Sequence, residues 1–332
     1  MEIKLEDLSK EENLYVILKK DFLRDLITEA SKEEKPYFNK KFCDYLDISF
    51  NKQEKCSLTL RNWLNNQKSI PIKKIELIRD KTNIRWEEIE RNFVGIKSGF
   101  RGTIANIRFP IKLDKKLGSI VGHILGDGSI DAKYKQVFFS NSNKELLKEF
   151  SDNFDSVFNL KPRIWMQKKT IPFKEKTRWE KRLNSIDELE GGKNCGLFYP
   201  SVSGALLNCI LSNFCIGKEK IINAKIKNTP LEFKIGLIRA FCDDEGTVYN
   251  RSIRIFQDKI EILEAIKEFL LEIGITTSKI KHYIKRDKER SYIDIHRKSN
   301  LIKFRDKVGL TSPKKRIKLE KASIIRNYKI AK

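Results

Sequence analysis

Histidine is scarce in this sequence: His123, His282 and His296 are too few and too scattered for a histidine-based metal cage. The six cysteines (Cys43, Cys56, Cys195, Cys209, Cys215 and Cys242) form no C-x-x-C pair and lack zinc-site spacing. Several fall in apolar helical patterns, where a free thiol behaves as a small buried hydrophobe, as expected in a reducing, intracellular compartment. No apolar run approaches the ~20 residues that a membrane span needs. The opening MEIKLEDLSKEEN is too charged for a secretory leader. Acid is also in short supply, with 45 Asp and Glu against 68 Lys and Arg.

What is present is therefore a basic chain, net charge +23 and pI 9.6, that attracts polyanions, of which nucleic acid is the commonest. With 332 residues, 40% hydrophobic and 34% charged, it has the composition of a globular protein with room for two or three domains. A cytoplasmic protein of prokaryotic or archaeal origin is expected, the Lys- and Ile-rich composition hinting at a thermophile.

Residues 1–34 read as an amphipathic helix, and residues 36–92 as a run of short helices in a small all-α domain spanning 1–93. Pro71 suits a first helical turn. The segment SLTLRNWLNNQ resembles the recognition helix of the phage-repressor helix-turn-helix, which implies that Arg61, Asn62, Asn65 and Gln67 face DNA. A helical bundle that only packs is the plainer alternative. Residues 94–110, with three glycines and a proline, read as a basic linker.

Beyond residue 110 the chain repeats itself, over 111–225 and 226–332. The first unit runs LGSIVGHILGDGSI, strand QVFFSNS, helix KELLKEFSDNFDSVF, then strands KPRIWMQKK and CGLFYPSVS. The second runs KIGLIRAFCDDEGTV, strand SIRIFQD, helix IEILEAIKEFLLEIG, then strands KIKHYIKR and SYIDIHRK. Each is helix, hairpin, helix, hairpin, helix, which predicts an α+β domain of two pseudo-symmetric αββαββα units with two similar antiparallel sheets.

The opening helices carry the chemistry. Gly122 and Gly126 stand four apart on one face, and Ala240 and Asp244 occupy the corresponding places in the second unit. Small side chains there allow helices to meet at backbone distance. Asp127 and Glu245 end their helices immediately before Gly128 and Gly246, which are expected to take left-handed C-cap conformations. Asp114 starts the first helix, and Thr229-Pro230-Leu231-Glu232 has the form of a capping box for the second.

Paired parallel helices bring the two carboxylates together at ends that already carry partial negative charge. A hard divalent cation, Mg²⁺ or Mn²⁺, relieves that repulsion, and the carbonyls of Gly126 and Asp244 are further candidate ligands. A lone Asp-Gly after an apolar helix is ordinarily a turn. Two such sites, each heading the same downstream pattern, are hard to read that way. The side-chain roles of Asp243 and Asp244 stay open, with an interface position as one reading.

IVGHILGDG and IRAFCDDEG both resemble the LAGLIDADG motif of homing endonucleases. The resemblance covers residues 110 to about 325. It implies a monomeric, site-specific endonuclease that straddles a long DNA site, with Asp127 and Glu245 as metal-binding catalytic acids. It also implies a lysine or other polar residue near the metal, for which Lys168, Lys285 and Lys298 are candidates. His123 and Arg239 depart from the motif and are expected on outward helix faces. A free-standing protein encoded by an intron or a mobile gene is expected from the two termini.

The strands are expected to supply the DNA surface. Alternation places Lys279, Lys281, Tyr283 and Lys285 on one face, with Ile280, His282 and Ile284 against the helices. It also turns Arg254, Arg163, Trp165, Gln167 and Lys169 outward, where long polar side chains read base edges. Two rivals remain: a DNA-binding regulator that does not cut, and a maturase that binds intron RNA on the same surface. Keeping both acids argues against the first and is silent on the second.

Overall fold

In the computed structural model the described residues are 1–66, 69–99, 102, 104–167, 179–190, 193–217, 219–285 and 288–324. Two matching helices form the centre. Lys115–Leu125 starts where expected: the Asp114 carboxylate accepts the N–H groups of Lys116 and Leu117 at 2.9 and 3.1 Å. Leu231–Glu245 starts otherwise. Pro230 occupies its N-cap, and the Thr229 hydroxyl donates back to the Ile226 carbonyl at 2.7 Å, so the expected capping box does not form.

Each helix runs into an antiparallel sheet. In the first unit the strands are Gly128–Ile130, Val137–Asn141, Arg163–Gln167, Trp179–Leu183 and Cys195–Phe198; in the second they are Gly246–Val248, Ile253–Phe256, Lys281–Lys285 and Lys288–Ile295. The αββαββα pattern holds with one addition. Trp179–Leu183 pairs at the outer edge beside Arg163–Gln167, so among the described residues the first sheet has five strands and the second four.

The helices Lys144–Phe158 and Ile260–Glu272 cover the inner faces of the sheets. Of the residues at apolar helical spacing, Leu146, Leu147, Phe150, Phe154 and Phe158, and Ile262, Leu263, Ile266, Phe269, Leu270 and Ile273, are buried, and Val157 is half-buried. Each such side chain contributes about 1.5–3 kcal/mol of burial. The units close with helices Ser201–Ile210 and Lys298–Lys307, and a last helix, Pro313–Ser323, follows.

The N-terminal domain is mixed rather than all-α. Leu14–Leu18 is the central strand of a three-stranded sheet, between Ile70–Pro71 and Phe93–Ser98, so residues 1–34 are not one helix and the expected linker begins as a strand. Leu14, Val16 and Leu18 are buried at alternate positions, the period of a strand, and only Lys20–Ser31 is helical. Glu2–Ile3 pairs with Ile111–Lys112, which ties the chain start to the first repeat. Among the described residues, no helix is long and apolar enough to cross a membrane.

Candidate functional site

Backbones touch where the two central helices cross. A Cβ added at Gly118 would lie 2.0 Å from the Phe233 carbonyl oxygen, one at Gly122 2.3 Å from that of Leu237, and one at Gly236 2.1 Å from that of Lys115. A Cβ at Gly126 would meet the Asp244 carboxylate at 2.6 Å, and Ala240 faces Gly122. The contacts advance together along both chains, so the helices run parallel. The three expected interface residues Gly122, Gly126 and Ala240 lie in this contact. It extends one turn further back, through Gly118 and Gly236.

Parallel helices in register bring Asp127 and Glu245 to the same end of the pair. Loss of water around the Asp127 carboxyl, with the Asp244 charge adding, raises it to about 6, although the residue as a whole is exposed at the helix end. Burial raises half-buried Glu245 to about 7, and the charges of Asp127 and Asp244 contribute. Asn141 donates to Asp127 Oδ2 at 3.1 Å and fixes its orientation. The glycines after the acids are not left-handed caps. Gly246 is extended at φ −93°, and neither it nor Gly128 has positive φ. Both are needed because the strand folds back against its own helix: a Cβ would meet Cys242 O at 2.4 Å and Ile124 Cα at 2.8 Å.

Asp244 is an interface residue. Its side chain and that of His123 are fully buried, with His123 Nδ1 3.0 Å from Asp244 Oδ2. The expectation of an outward His123 is thus overturned: its ring packs against Phe139 and Phe150, at centroid distances of 4.7 and 5.7 Å, while Nδ1 meets the Asp244 carboxylate. Burial opposes charge on His123, but Asp244, Glu149 and Asp243 outweigh it and raise its pKa. Arg239 is mostly covered as well, paired with Glu149, which also accepts from Ser119 Oγ at 3.0 Å. Asp243 accepts the N–H groups of Thr311 and Ser312 at 2.7 and 3.1 Å, and so anchors the approach to the last helix.

Two lysines reach the helix ends from elsewhere in the chain. Lys220 Nζ donates to the carbonyls of Leu125, at 3.2 Å, and Gly126. Lys315 Nζ donates to those of Cys242, at 3.4 Å, and Asp243. Each cation caps the negative end of one central helix, a pseudo-symmetric arrangement. Burial lowers the Lys220 pKa, opposed by the nearby Cys215 and by the Glu245 and Asp127 charges. The sequence pointed instead to Lys298, Lys285 and Lys168. Lys298 begins the helix Lys298–Lys307 beside Arg251 and Arg297, Lys285 ends the edge strand Lys281–Lys285, and Lys168 is outside the described residues.

Among the described residues, no group of three or more His, Cys, Asp or Glu side chains is arranged to hold an ion. Asp127 and Glu245 are the two carboxylates at the helix ends that a divalent cation would use, its remaining positions being left to other oxygen donors. The Gly126 carbonyl, an expected ligand, is engaged by Lys220.

The outward sheet faces follow the alternation. Arg163 is exposed, Trp165 and Gln167 are half-buried, and Ile164 and Met166 point in; Lys169 is outside the described residues. Arg254 projects outward, bound to Asp294 at 2.8 Å and stacked 4.1 Å from the Tyr292 ring centroid. Lys281 also reaches Asp294, at 3.4 Å, and Lys279 is exposed. Phe256, Tyr283 and Tyr292 cluster on this face with ring centroids 5.7–6.0 Å apart. His282 and Ile284 do not pack on helices as expected. Their strand is the sheet edge and runs past the helical layer, leaving Ile284 79% exposed.

In the N-terminal domain, Leu58–Asn66 presents exposed Arg61 and Asn65, with Asn62 half-buried, while Leu60, Trp63 and Leu64 are buried. Residues 46–57 separate it from the Lys40–Tyr45 helix, in place of the three- to four-residue turn of a helix-turn-helix. Gln67 lies outside the described residues.

Residues 232–309 match the profile of the LAGLIDADG-like domain. No curated protein sequence matches the chain. Among solved structures, I-DmoI in complex with DNA and Mn is similar at 16% identity and TM-score 0.41, covering 60% of this chain and 98% of that one. The homing endonuclease I-WcaI bound to its DNA recognition sequence is similar at 17% identity and TM-score 0.40, covering 63% and 87%. The N-terminal LAGLIDADG domain of DUF199/WhiA is similar at 12% identity and TM-score 0.36, covering 66% and 85%.

Proposed function

We propose that this protein, whose residues 232–309 are a LAGLIDADG-like domain, is a metal-dependent endonuclease acting on double-stranded DNA as a monomer. The observation that carries the reading is the parallel helix pair in backbone contact, which delivers Asp127 and Glu245 to one end with both acidities weakened. Such carboxylates are costly to keep together unless they have a task. Asp127 and Glu245 would hold a divalent ion, Mg²⁺ or Mn²⁺. When bound, the ion supplies an activated water and neutralises charge on the leaving oxygen.

The chain's own groups supply the rest. Asn141 orients Asp127. Lys220 and Lys315 place positive charge at the helix ends, next to where a scissile phosphate would lie. Arg163, Arg254, Lys279 and Lys281 would hold the duplex along the two sheets, with Lys169 and Lys285 extending that surface. Arg61 and Asn62 of the Leu58–Asn66 helix would add a separate DNA contact.

A second reading has one specific observation behind it. Lys220 already provides a cation beside the acids and engages the Gly126 carbonyl, as a DNA-binding protein that does not cut would allow. Incubation of the protein and Mg²⁺ with duplex spanning the gene's insertion site, beside an Asp127→Asn variant, separates the two. Cutting by the wild type alone supports the nuclease; tight binding with no cutting by either supports the binder.

A further inference from the structure

The two repeats share a corner, where the first hairpin turns and the last strand gives way to a helix, and the two corners differ. In the first repeat the turn residues Lys133 and Lys135 and the helix residue Asn208 share a cavity of about 930 Å³ with Glu11, Asn13 and Gly99 of the N-terminal domain. In the second, among the described residues, the corner is lined by the second repeat and the helix that follows it. Arg251 of the turn, Arg297 and Lys298 at the start of Lys298–Lys307, and Lys318 and Lys321 of the last helix surround a cavity of about 660 Å³.

Five cations and no carboxylate line that cavity. All five residues are exposed, and none joins an ion pair among the described residues. Arg297 is held at φ 69° and ψ 129°, a positive-φ backbone that residues other than glycine rarely adopt. It stands at the N-cap of a helix with no acid in its first turn. Cations gathered without counter-charge repel one another, and a polyanion removes that cost.

The position names the polyanion. Ile253 pairs with Ile295, so the corner is the end of the same sheet whose outward face carries Arg254 and Lys281. We propose that this cavity binds backbone phosphates of a duplex running off the end of the second sheet, a DNA contact separate from the acids and the sheet faces. It rests on the DNA-binding reading above.

The test compares wild type with the Arg251→Gln/Lys318→Gln/Lys321→Gln variant, whose unchanged melting temperature shows that the fold is kept. Affinity for a duplex of about 30 base pairs is measured from about 50 to 200 mM salt. Loss of two or three phosphate contacts is expected to flatten the slope of log affinity against log salt by about 2–3, at 0.9 per phosphate. The cutting rate at saturating duplex should not change. An unchanged slope overturns the cavity's role while cutting, if seen, still upholds the nuclease. If the wild type binds no duplex, the DNA reading itself fails. Inorganic tripolyphosphate then decides: thermal stabilisation lost in the variant replaces the duplex with a free phosphate compound, and no stabilisation removes the site.

Discussion

The imidazole Nδ1 of His123, on the first central helix, lies 3.0 Å from the carboxylate of Asp244 on the second, and both side chains are shut off from solvent. Asp244 packs against Gly126, where a Cβ would meet its carboxylate at 2.6 Å. Removing His123 leaves a buried carboxylate without its partner. His123→Phe is expected to destabilise the protein by about 3–5 kcal/mol, read from urea unfolding. Combining it with Asp244→Ala should recover a large part of that loss. Equal, additive losses from the two changes would show that the pair is not coupled.

Gly118 sits against the Phe233 carbonyl with no room for a methyl group. Gly118→Ala is expected to separate the helices and cost roughly 1–3 kcal/mol or more. Because the helix ends would shift together with the acids, on the nuclease reading cutting should fall further than the stability loss explains. A variant with unchanged melting temperature would contradict the backbone contact.

Asp127 and Glu245 rise from ordinary values of 3.8 and 4.5 to about 6 and about 7. Between those limits the folded protein keeps protons that the unfolded chain has released. Metal-free stability is therefore expected to fall as pH rises from about 4 to 7, and to level off above that. Divalent ion must displace the same protons, so its affinity should rise through this window. Calorimetric titration of Mn²⁺ at several pH values tests this, with the Asp127→Asn/Glu245→Gln variant isolating the two acids. Affinity independent of pH would count against these carboxylates as ligands.

Lys220 repels any cation that approaches the acids, while its ammonium satisfies the Leu125 and Gly126 carbonyls. Lys220→Met is expected to lower the melting temperature and to tighten Mn²⁺ binding several-fold. On the nuclease reading it should also slow cutting by at least about tenfold, the scale of a displaced catalytic charge. Weaker metal binding in this variant would show that the lysine supports the ion rather than competing with it.

The helix pair was legible because its signal is local. Gly122, Gly126, Ala240 and the two acids recur at fixed spacing within one helix each, and the mid-unit helices repeat their apolar period. The lysines were not legible. Lys220 and Lys315 reach their helices only because the chain returns there, and they stand at different distances from Asp127 and Glu245 along the sequence. His123 was misplaced because a polar residue on an apolar helix suggests an outward face, while its partner lies in the other repeat. In the N-terminal domain, LYVIL is followed almost at once by the Lys20–Ser31 helix, so its brief alternation is hard to separate from the helical pattern in sequence.

Among the described residues, the strand Trp179–Leu183 has no counterpart in the second repeat. A molecule with one broader half cannot treat its two ends alike. Laid on DNA, it would have a preferred heading, and a perfect palindrome would give it no advantage, since reversing the molecule would put the wider platform over bases matched to the narrower one. The sequence it favours should therefore carry direction, with more base pairs specified on the side of residues 111–225.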